Sequence, residues 1–327
     1  MKSEFTKVIV RSSARLHLGF IDLHGGLGRI YGSLGVSLQQ PECVIEVNLK
    51  DSGLLISGEP KHRVKQIAEH FIEHFKIAQG LQITVWESIP EHIGLGSGTQ
   101  LGLAVGTGIS QLIGIETSSR EIAKILGRGA VSGVGTATFA FGGFVVDGGK
   151  LTLKSKDEPN AIPPLIIRHE VPKDWFFVVA IPLVDRGLSG THEDEAFRTL
   201  PLTAPESAQM TSRLVLMQLV PAIVDDDIER FGEALTRIQI LVGEAFTPAQ
   251  GGRFAYPEVT NCVNAMLDAG AKGAGQSSWG PACYGLVQGT KAASEVKKAV
   301  KEVVDAGSGG PVVISAVNNH GAQISRD

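Results

Sequence analysis

The chain has 327 residues, 43% of them hydrophobic and 20% charged, with a net charge of -4 and 40 glycines. That length predicts two domains with ample core, and the charge balance gives no basic footprint, so no nucleic-acid partner is expected. Glycine stands above a norm of about 7% without any repeat, which points to tight turns near ligands rather than to disorder or collagen.

Lys2, Glu4, Lys7 and Arg11 interrupt any export signal at the start. The longest apolar run, Trp175 to Val184, is too short for a bilayer and contains Pro182. A soluble, cytoplasmic protein with no membrane partner is expected. Cys43, Cys262 and Cys283 are odd in number and form no Cys-x-x-Cys, as suits buried thiols in a reducing compartment.

Phe5 to Val10 reads as a first strand. In the segment that follows, Leu16, Leu18 and Phe20 alternate, which puts Arg15, His17 and Gly19 on the opposite face and makes one face core and the other site. Gly25 to Gly28 then turns the chain into Arg29, an arginine that either forks onto a phosphate or is solvated. Val44 to Leu49, turned by Asp51-Ser52-Gly53 into Leu54 to Ile56, predicts a hairpin. Lys61 to Ile77 predicts an amphipathic helix with Val64, Ala68 and Phe71 inward; His70 and His74 lack a third ligand and read as a wet face.

Leu81 to Trp86 predicts a strand, and Leu101, Ala104, Val105, Gly108 and Leu112 recur at helical spacing. Between them lies Pro90-Glu91-His92-Ile93-Gly94-Leu95-Gly96-Ser97-Gly98-Thr99-Gln100. Gly94, Gly96 and Gly98 allow left-handed backbone and close approach to a ligand. The first helical amides, with the dipole behind them and the hydroxyls of Ser97 and Thr99 beside them, make a phosphate cradle. A tight turn packed on a neighbouring helix is the alternative. No Walker loop occurs, and the glycine spacing does not fit a dinucleotide fingerprint.

Glu121 to Leu126 follows, then a Gly-Ser-Thr run over 127–136 that is either a second anion nest or a helix contact through glycine. Phe144 to Asp147 and Lys150-Leu151 read as strand, turn and strand. The charged, proline-bearing stretch Lys154 to Pro164 predicts the boundary between domains 1–160 and 161–327. Trp175 to Pro182 is a buried strand that delivers Asp185, Arg186, Glu193 and Glu195. Helices are expected over Glu206–Val220, Asp227–Val242, Pro257–Ala269 and Lys291–Val304, and strands over Ala271–Gln276, Ala282–Val287 and Pro311–Val317. Strands and helices alternate with helices grouped late, an α+β pattern. Three anion-friendly loops, at 94–99, 127–136 and 275–281, together with arginines and carboxylates, suit a polyphosphate substrate and imply phosphoryl transfer or displacement of pyrophosphate.

Pro-x-x-x-Gly-Leu-Gly-Ser resembles the phosphate loop of the GHMP superfamily. Its kinases carry an aspartate after the cradle helix to accept an alcohol proton, but no carboxylate stands between Glu121 and Asp147 here. Ala-Arg-Leu-His-Leu-Gly-Phe-Ile-Asp (14–22), Gly-Leu-Gly-Ser-Gly-Thr-Gln-Leu (94–101), Gly-Arg-Gly (127–129), Gly-Gly-Phe-Val-Val-Asp-Gly-Gly (142–149), Leu-Ser-Gly (188–190) and Gly-Gln-Ser-Ser-Trp-Gly-Pro (275–281) together resemble the β-ribofuranosylaminobenzene 5'-phosphate synthase branch.

The resemblance implies a two-domain GHMP-kinase-like fold, mixed sheets with helices packed on one face. It implies condensation of phosphoribosyl pyrophosphate with 4-aminobenzoate, loss of pyrophosphate and carbon dioxide, assistance from Mg2+, a place in tetrahydromethanopterin synthesis and a homodimer. On that scheme Gly94, Gly96, Ser97, Gly98, Thr99 and Arg29 take the diphosphate. Arg15, His17 and Asp22 stand beside the reacting centre, and Asp22 and Glu193 hold the metal. Arg128, Ser132 and Gly133 take the 5'-phosphate. Arg186, Gln276, Ser277 and Trp279 form the substrate wall, with Trp279 either wall or core. The rivals are an ATP-dependent kinase of the same fold and a non-catalytic phosphometabolite-binding protein.

Overall fold

The structure is a computed structural model that describes residues 5–152, 161–184 and 200–327. Its elements in chain order are β1 (Lys7–Asp22), β2 (Arg29–Lys50), β3 (Leu54–Ser57), α1 (Lys61–Phe75), β4 (Gly80–Glu87), α2 (Ser97–Ile113), α3 (Ser119–Ile125), α4 (Val134–Phe141), β5 (Phe144–Asp147), β6 (Lys150–Leu151), β7 (Leu165–His169) and β8 (Trp175–Ala180). There follow α5 (Pro205–Leu214), a π-helical turn at Val215–Leu219, α6 (Val220–Val224), α7 (Ile228–Gln250), α8 (Pro257–Asp268), β9 (Gly273–Gln276), β10 (Cys283–Gln288), α9 (Gly289–Ala306), β11 (Val312–Ala316) and β12 (Gln323–Arg326).

β1 is one continuous strand rather than a short strand and a separate segment. It pairs antiparallel with β2 from Lys7 opposite Asn48 to Asp22 opposite Tyr31. The register shifts between Ser13 and Arg15 and again between His17 and Gly19. A bulge re-aims the side chains next to it, so the two irregularities bracket the two site candidates, Arg15 and His17. The expected hairpin at 44–56 does not form. β4 enters between β2 and β3, pairing antiparallel with β2 and parallel with β3. Gly80 permits this, because a β-carbon there would meet the Ser52 backbone at 2.6 Å.

The first sheet runs β12-β1-β2-β4-β3, with β5 and β6 paired to β2 and β7 to β5. The second, β11-β8-β10-β9, is antiparallel throughout. Its period-2 alternation sorts two cores. Phe177, Val179, Tyr284 and Leu286 face the main core, while Val178, Ala180, Cys283 and Val287 face α8 and α9. The fold is α+β, one sheet mixed and one antiparallel. β7 and β12 lie beyond residue 160 yet complete the first sheet, so a cut at 160/161 would strand both on the wrong side.

Helix α2 is buried on nearly every side, as an apolar helix at the centre of a domain should be. Its glycines let neighbours close in: a β-carbon on Gly108 would come within 2.6 Å of Val47 Cγ2. Cys43, Cys262 and Cys283 are free and buried. Among the described residues no helix is long and apolar enough to cross a membrane.

Candidate functional site

Loop 90–96 links β4 to α2 in left-handed steps, with φ of 62° at His92, 90° at Gly94 and 78° at Gly96. Its three central carbonyls, of Ile93, Gly94 and Leu95, are turned inward. Ala282 N donates to Ile93 O (3.1 Å), Arg15 N to Leu95 O (3.1 Å), and both Arg15 Nη1 (2.5 Å) and Ser277 Oγ (2.8 Å) to Gly94 O. Ser277 Oγ in turn accepts from His17 N at 3.0 Å. Strand β1, the cradle loop and the turn at 277–282 are thereby tied at one point.

With its carbonyls anchored, the loop presents the opening amides of α2. The N-cap, Gly96, has no side chain to cap them, and the first turn holds no acidic residue. Two guanidinium groups approach the same end. Arg15 Nε lies 3.1 Å from where a Gly96 β-carbon would sit, and a β-carbon on Gly98 would run into Arg63 Nη2. Cations at the positive end of a helix are unfavourable by some tenths of a kcal/mol to about 1 kcal/mol each. An anion seated between them reverses that sign.

Sequence reasoning missed Arg63. It sits on α1 beside the inward Val64, nothing in the helical pattern marks it, and it pairs with Glu91 of the loop. Gly98→Ala tests its placement. The only atoms in the way belong to a flexible side-chain end, and φ at Gly98 is not positive. Stability should therefore change by less than about 1 kcal/mol, while calorimetry should show weaker binding of inorganic pyrophosphate as Arg63 is pushed aside.

His17 is 3% exposed, and its Nε2 has no hydrogen-bond partner among the described residues. Burial, helped by the neighbouring charge of Arg15, pulls its pKa down to about 3. The ring is thus neutral across the physiological range. The unfolded chain binds a proton near pH 6.5 that the folded chain refuses, so stability is full above that pH and falls as pH drops from 6.5 towards 3. Urea titrations should show the wild type losing about 1.4 kcal/mol per pH unit more than His17→Gln in that window; parallel curves would contradict the burial assigned to the ring.

A narrow slot adjoins His17, lined by Phe20, Gln239, Phe246, Gln276 and Trp279. The rings interlock: His17 to Phe20 at 4.5 Å, Phe20 to Phe246 at 5.8 Å, and Phe246 edge-on to Trp279 at 4.5 Å. Trp279, 4% exposed, is both packed in this cluster and part of the slot wall. The structure thus brings together Arg15, His17, Gly94, Gly96, Ser97, Gly98, Gln276, Ser277 and Trp279. Thr99 adjoins them, within about 3 Å of a Gly135 β-carbon position at the start of α4.

The other candidates among the described residues are engaged within the fold itself. The nest at 127–136 is already filled from within: Asp147, 1% exposed, accepts from Ser33 N (3.1 Å), Gly133 N (2.8 Å) and Gly149 N (2.9 Å). Gly133 therefore has no amide to give a 5'-phosphate. Burial raises the Asp147 pKa and the three amides oppose that rise. Ser132 Oγ accepts from Val134 N at the start of α4. Arg29 is not held out towards a diphosphate, because its Nε and Nη2 donate to Gly148 O (2.6 Å) and Gly149 O (2.8 Å). Asp22 Oδ1 accepts from His24 N and Gly25 N and so caps the following turn. Arg128 N donates to Ala123 O at the end of α3. Arg186 and Glu193 lie outside the described residues. Among the described residues no three of His, Cys, Asp and Glu gather to hold a metal.

Residues 62–143 match the GHMP kinases N terminal domain, and residues 219–306 match the GHMP kinases C terminal domain. A protein of Methanothermobacter thermautotrophicus named beta-ribofuranosylphenol 5'-phosphate synthase is 33% identical, over 97% of this chain and 98% of its own. One of the same name from Archaeoglobus fulgidus is 34% identical, over 96% of this chain and 98% of its own. Among solved structures, a homoserine kinase from Cytophaga hutchinsonii superposes with a TM-score of 0.68 at 23% identity, covering 99% of both chains. That likeness speaks for the fold alone.

Proposed function

The chain belongs to the beta-ribofuranosylphenol 5'-phosphate synthase family within the GHMP superfamily, and from that membership we propose that it bonds an aromatic ring carbon to the anomeric carbon of phosphoribosyl pyrophosphate. The observation that carries this reading is the positive end of α2, where the guanidinium groups of Arg15 and Arg63 flank uncapped amides with no acid in the first turn. A leaving diphosphate develops its charge there, and fixed donors stabilise it more in the transition state than in the substrate.

The balance is complete without an added base. Electrons of the ring carbon that bears the carboxylate form the new carbon-carbon bond as the anomeric C-O bond breaks to pyrophosphate. The bond to the carboxylate then returns its electrons to the ring, and carbon dioxide leaves. A para hydroxyl or amino group makes that carbon electron-rich. The relatives are named for a phenol product, which favours 4-hydroxybenzoate over the 4-aminobenzoate expected from sequence.

A kinase reading fits less well. Asp147, the first carboxylate after Glu121, is buried and held by three amides, so it does not reach an alcohol. Mg2+ would be carried mainly by diphosphate oxygens and would neutralise the leaving group; of the carboxylates on this side, Glu91 of the cradle loop is paired with Arg63 and Asp22 caps its own turn. The Arg15 and Arg63 guanidiniums orient that group, and the aromatic slot beside His17 keeps water from the body of the ring. A place in tetrahydromethanopterin synthesis and a cytoplasmic location belong to the same proposal.

Carboxyl-labelled 4-hydroxybenzoate and 4-aminobenzoate, each supplied with phosphoribosyl pyrophosphate and Mg2+, test it. Labelled carbon dioxide and pyrophosphate should appear in equal amounts, and Arg63→Ala should slow the release at least tenfold. Release of ADP from ATP and an alcohol, with no carbon dioxide from either acid, would reverse the assignment.

A further inference from the structure

We propose that the slot beside His17 seats the aromatic ring of the acid substrate, with the para hydroxyl or amino group donating a hydrogen bond to His17 Nε2. This rests on the ring-ribosylation reading and deepens it by placing the ring and naming the atom that reads its far end.

Among the described residues, His17 Nε2 is the one buried side-chain polar atom of the slot lining that has no partner. Gln239 is fully engaged: its Nε2 donates to Leu18 O at 2.8 Å and its Oε1 accepts from Gln276 N at 2.9 Å. Gln276 is engaged as well, with Oε1 accepting from Ala255 N at 2.8 Å and Nε2 donating to Ser278 O at 2.9 Å. His17 Nε2 is buried and has no partner among the described residues. An unpartnered buried nitrogen is unfavourable by about 1–3 kcal/mol, and a ligand that supplies a donor recovers it.

Wall and atom suit one class of guest. Phe20, Phe246 and Trp279 offer ring edges and faces to a flat apolar body. A neutral imidazole accepts from a hydroxyl or an amine but gives nothing to a bare C-H. As the ring attacks, its para substituent becomes more positive, so this hydrogen bond strengthens in the transition state. The polar group enters first, which leaves the carboxylate end at the mouth, where Arg253 stands half in solvent and paired with Glu244 at 3.5 Å.

The enclosed part of the slot is small, about 30 Å³, whereas a benzene ring occupies a cavity of roughly 150 Å³. Seating the ring therefore displaces the Arg253 and Phe254 side chains at the mouth. Both stand in the short bend between α7 and α8, where Gly251 has nothing within 4 Å of its β-carbon position.

The test is equilibrium dialysis of the full chain, with saturating inorganic pyrophosphate and Mg2+, against labelled 4-hydroxybenzoate, 4-aminobenzoate and benzoate. The wild type should bind the first two at least tenfold more tightly than benzoate. In His17→Phe that preference should fall to within about twofold, with benzoate binding little changed. His17→Gln keeps an acceptor and should retain part of the preference, and circular dichroism shows which variants fold. Equal binding of all three acids to the wild type would overturn the proposal, as would a preference that survives in His17→Phe. Failure of the wild type to release carbon dioxide from any acid, with the para preference intact, would remove the ribosylation reading and leave the slot assignment standing.

Discussion

Gly94→Ala should lower turnover by about a hundredfold or more and stability by about 3 kcal/mol or more. Two effects add. At φ 90° an L residue is strained by roughly 1–2 kcal/mol. A β-carbon there would also fall inside the backbone carbonyl of Ser277, and that turn has little room to retreat, since a β-carbon position on Gly280 is already filled by the Ile93 and Gly94 backbone. Moving Ser277 breaks its hydrogen bonds to Gly94 O and His17 N together. A misplacement of about 1 Å in a catalytic frame lowers rate by roughly a hundredfold. Gly28→Ala is the control. It has the same backbone hand, φ 83°, but open space around it, so it should lose only about 1 kcal/mol. Urea midpoints and initial rates of both variants decide the matter; equal losses would mean that backbone hand, not the contact with Ser277, governs position 94.

Asp147→Ala should be the most damaging single change outside the cradle. Removing the carboxylate leaves the amides of Ser33, Gly133 and Gly149 without an acceptor in the interior. At about 1–3 kcal/mol for each unsatisfied group, the expected loss is roughly 4 kcal/mol, and Asp147→Asn should fall between this variant and the wild type. The damage should reach the cradle, because the Gly133 amide fixes the start of α4, and Gly135 O of that helix accepts from Gln100 Nε2 of α2 at 2.9 Å. Thermal unfolding measures the first effect and pyrophosphate binding the second. An Asp147→Ala protein within 1 kcal/mol of wild type would show that water satisfies those amides.

Local pattern made the cradle legible, because three glycines between a branched strand and a helical repeat leave few other structures. The same holds for α1, whose inward Val64, Ala68 and Phe71 are the residues the helical period picks out. The hairpin at 44–56 failed because turn residues and alternation fix a strand, not its neighbour; a strand 24 residues further on, at Gly80, took the place beside β2. Helix α4 went unseen since Gly135 and its two threonines carry little helical signal and it is held by Asp147 and by packing. Asp147 itself left a trace, a lone carboxylate ending the apolar run Phe144-Val145-Val146 ahead of two glycines. Arg63 left none. Its role follows from where α1 crosses the loop, a long-range fact that no window along the chain contains.

Strand β12 gives the fold a temporal order. Among the described residues, the outer edge of β1 from Val8 to Arg11 is covered by Gln323 to Arg326 alone. On a ribosome that cover emerges some three hundred residues after the strand it protects. Until then the nascent chain presents an open row of amides and carbonyls, an invitation to pair with a neighbour. Crowded polysomes and overexpression should therefore punish this protein through aggregation of half-made chains, even where the finished molecule is sound.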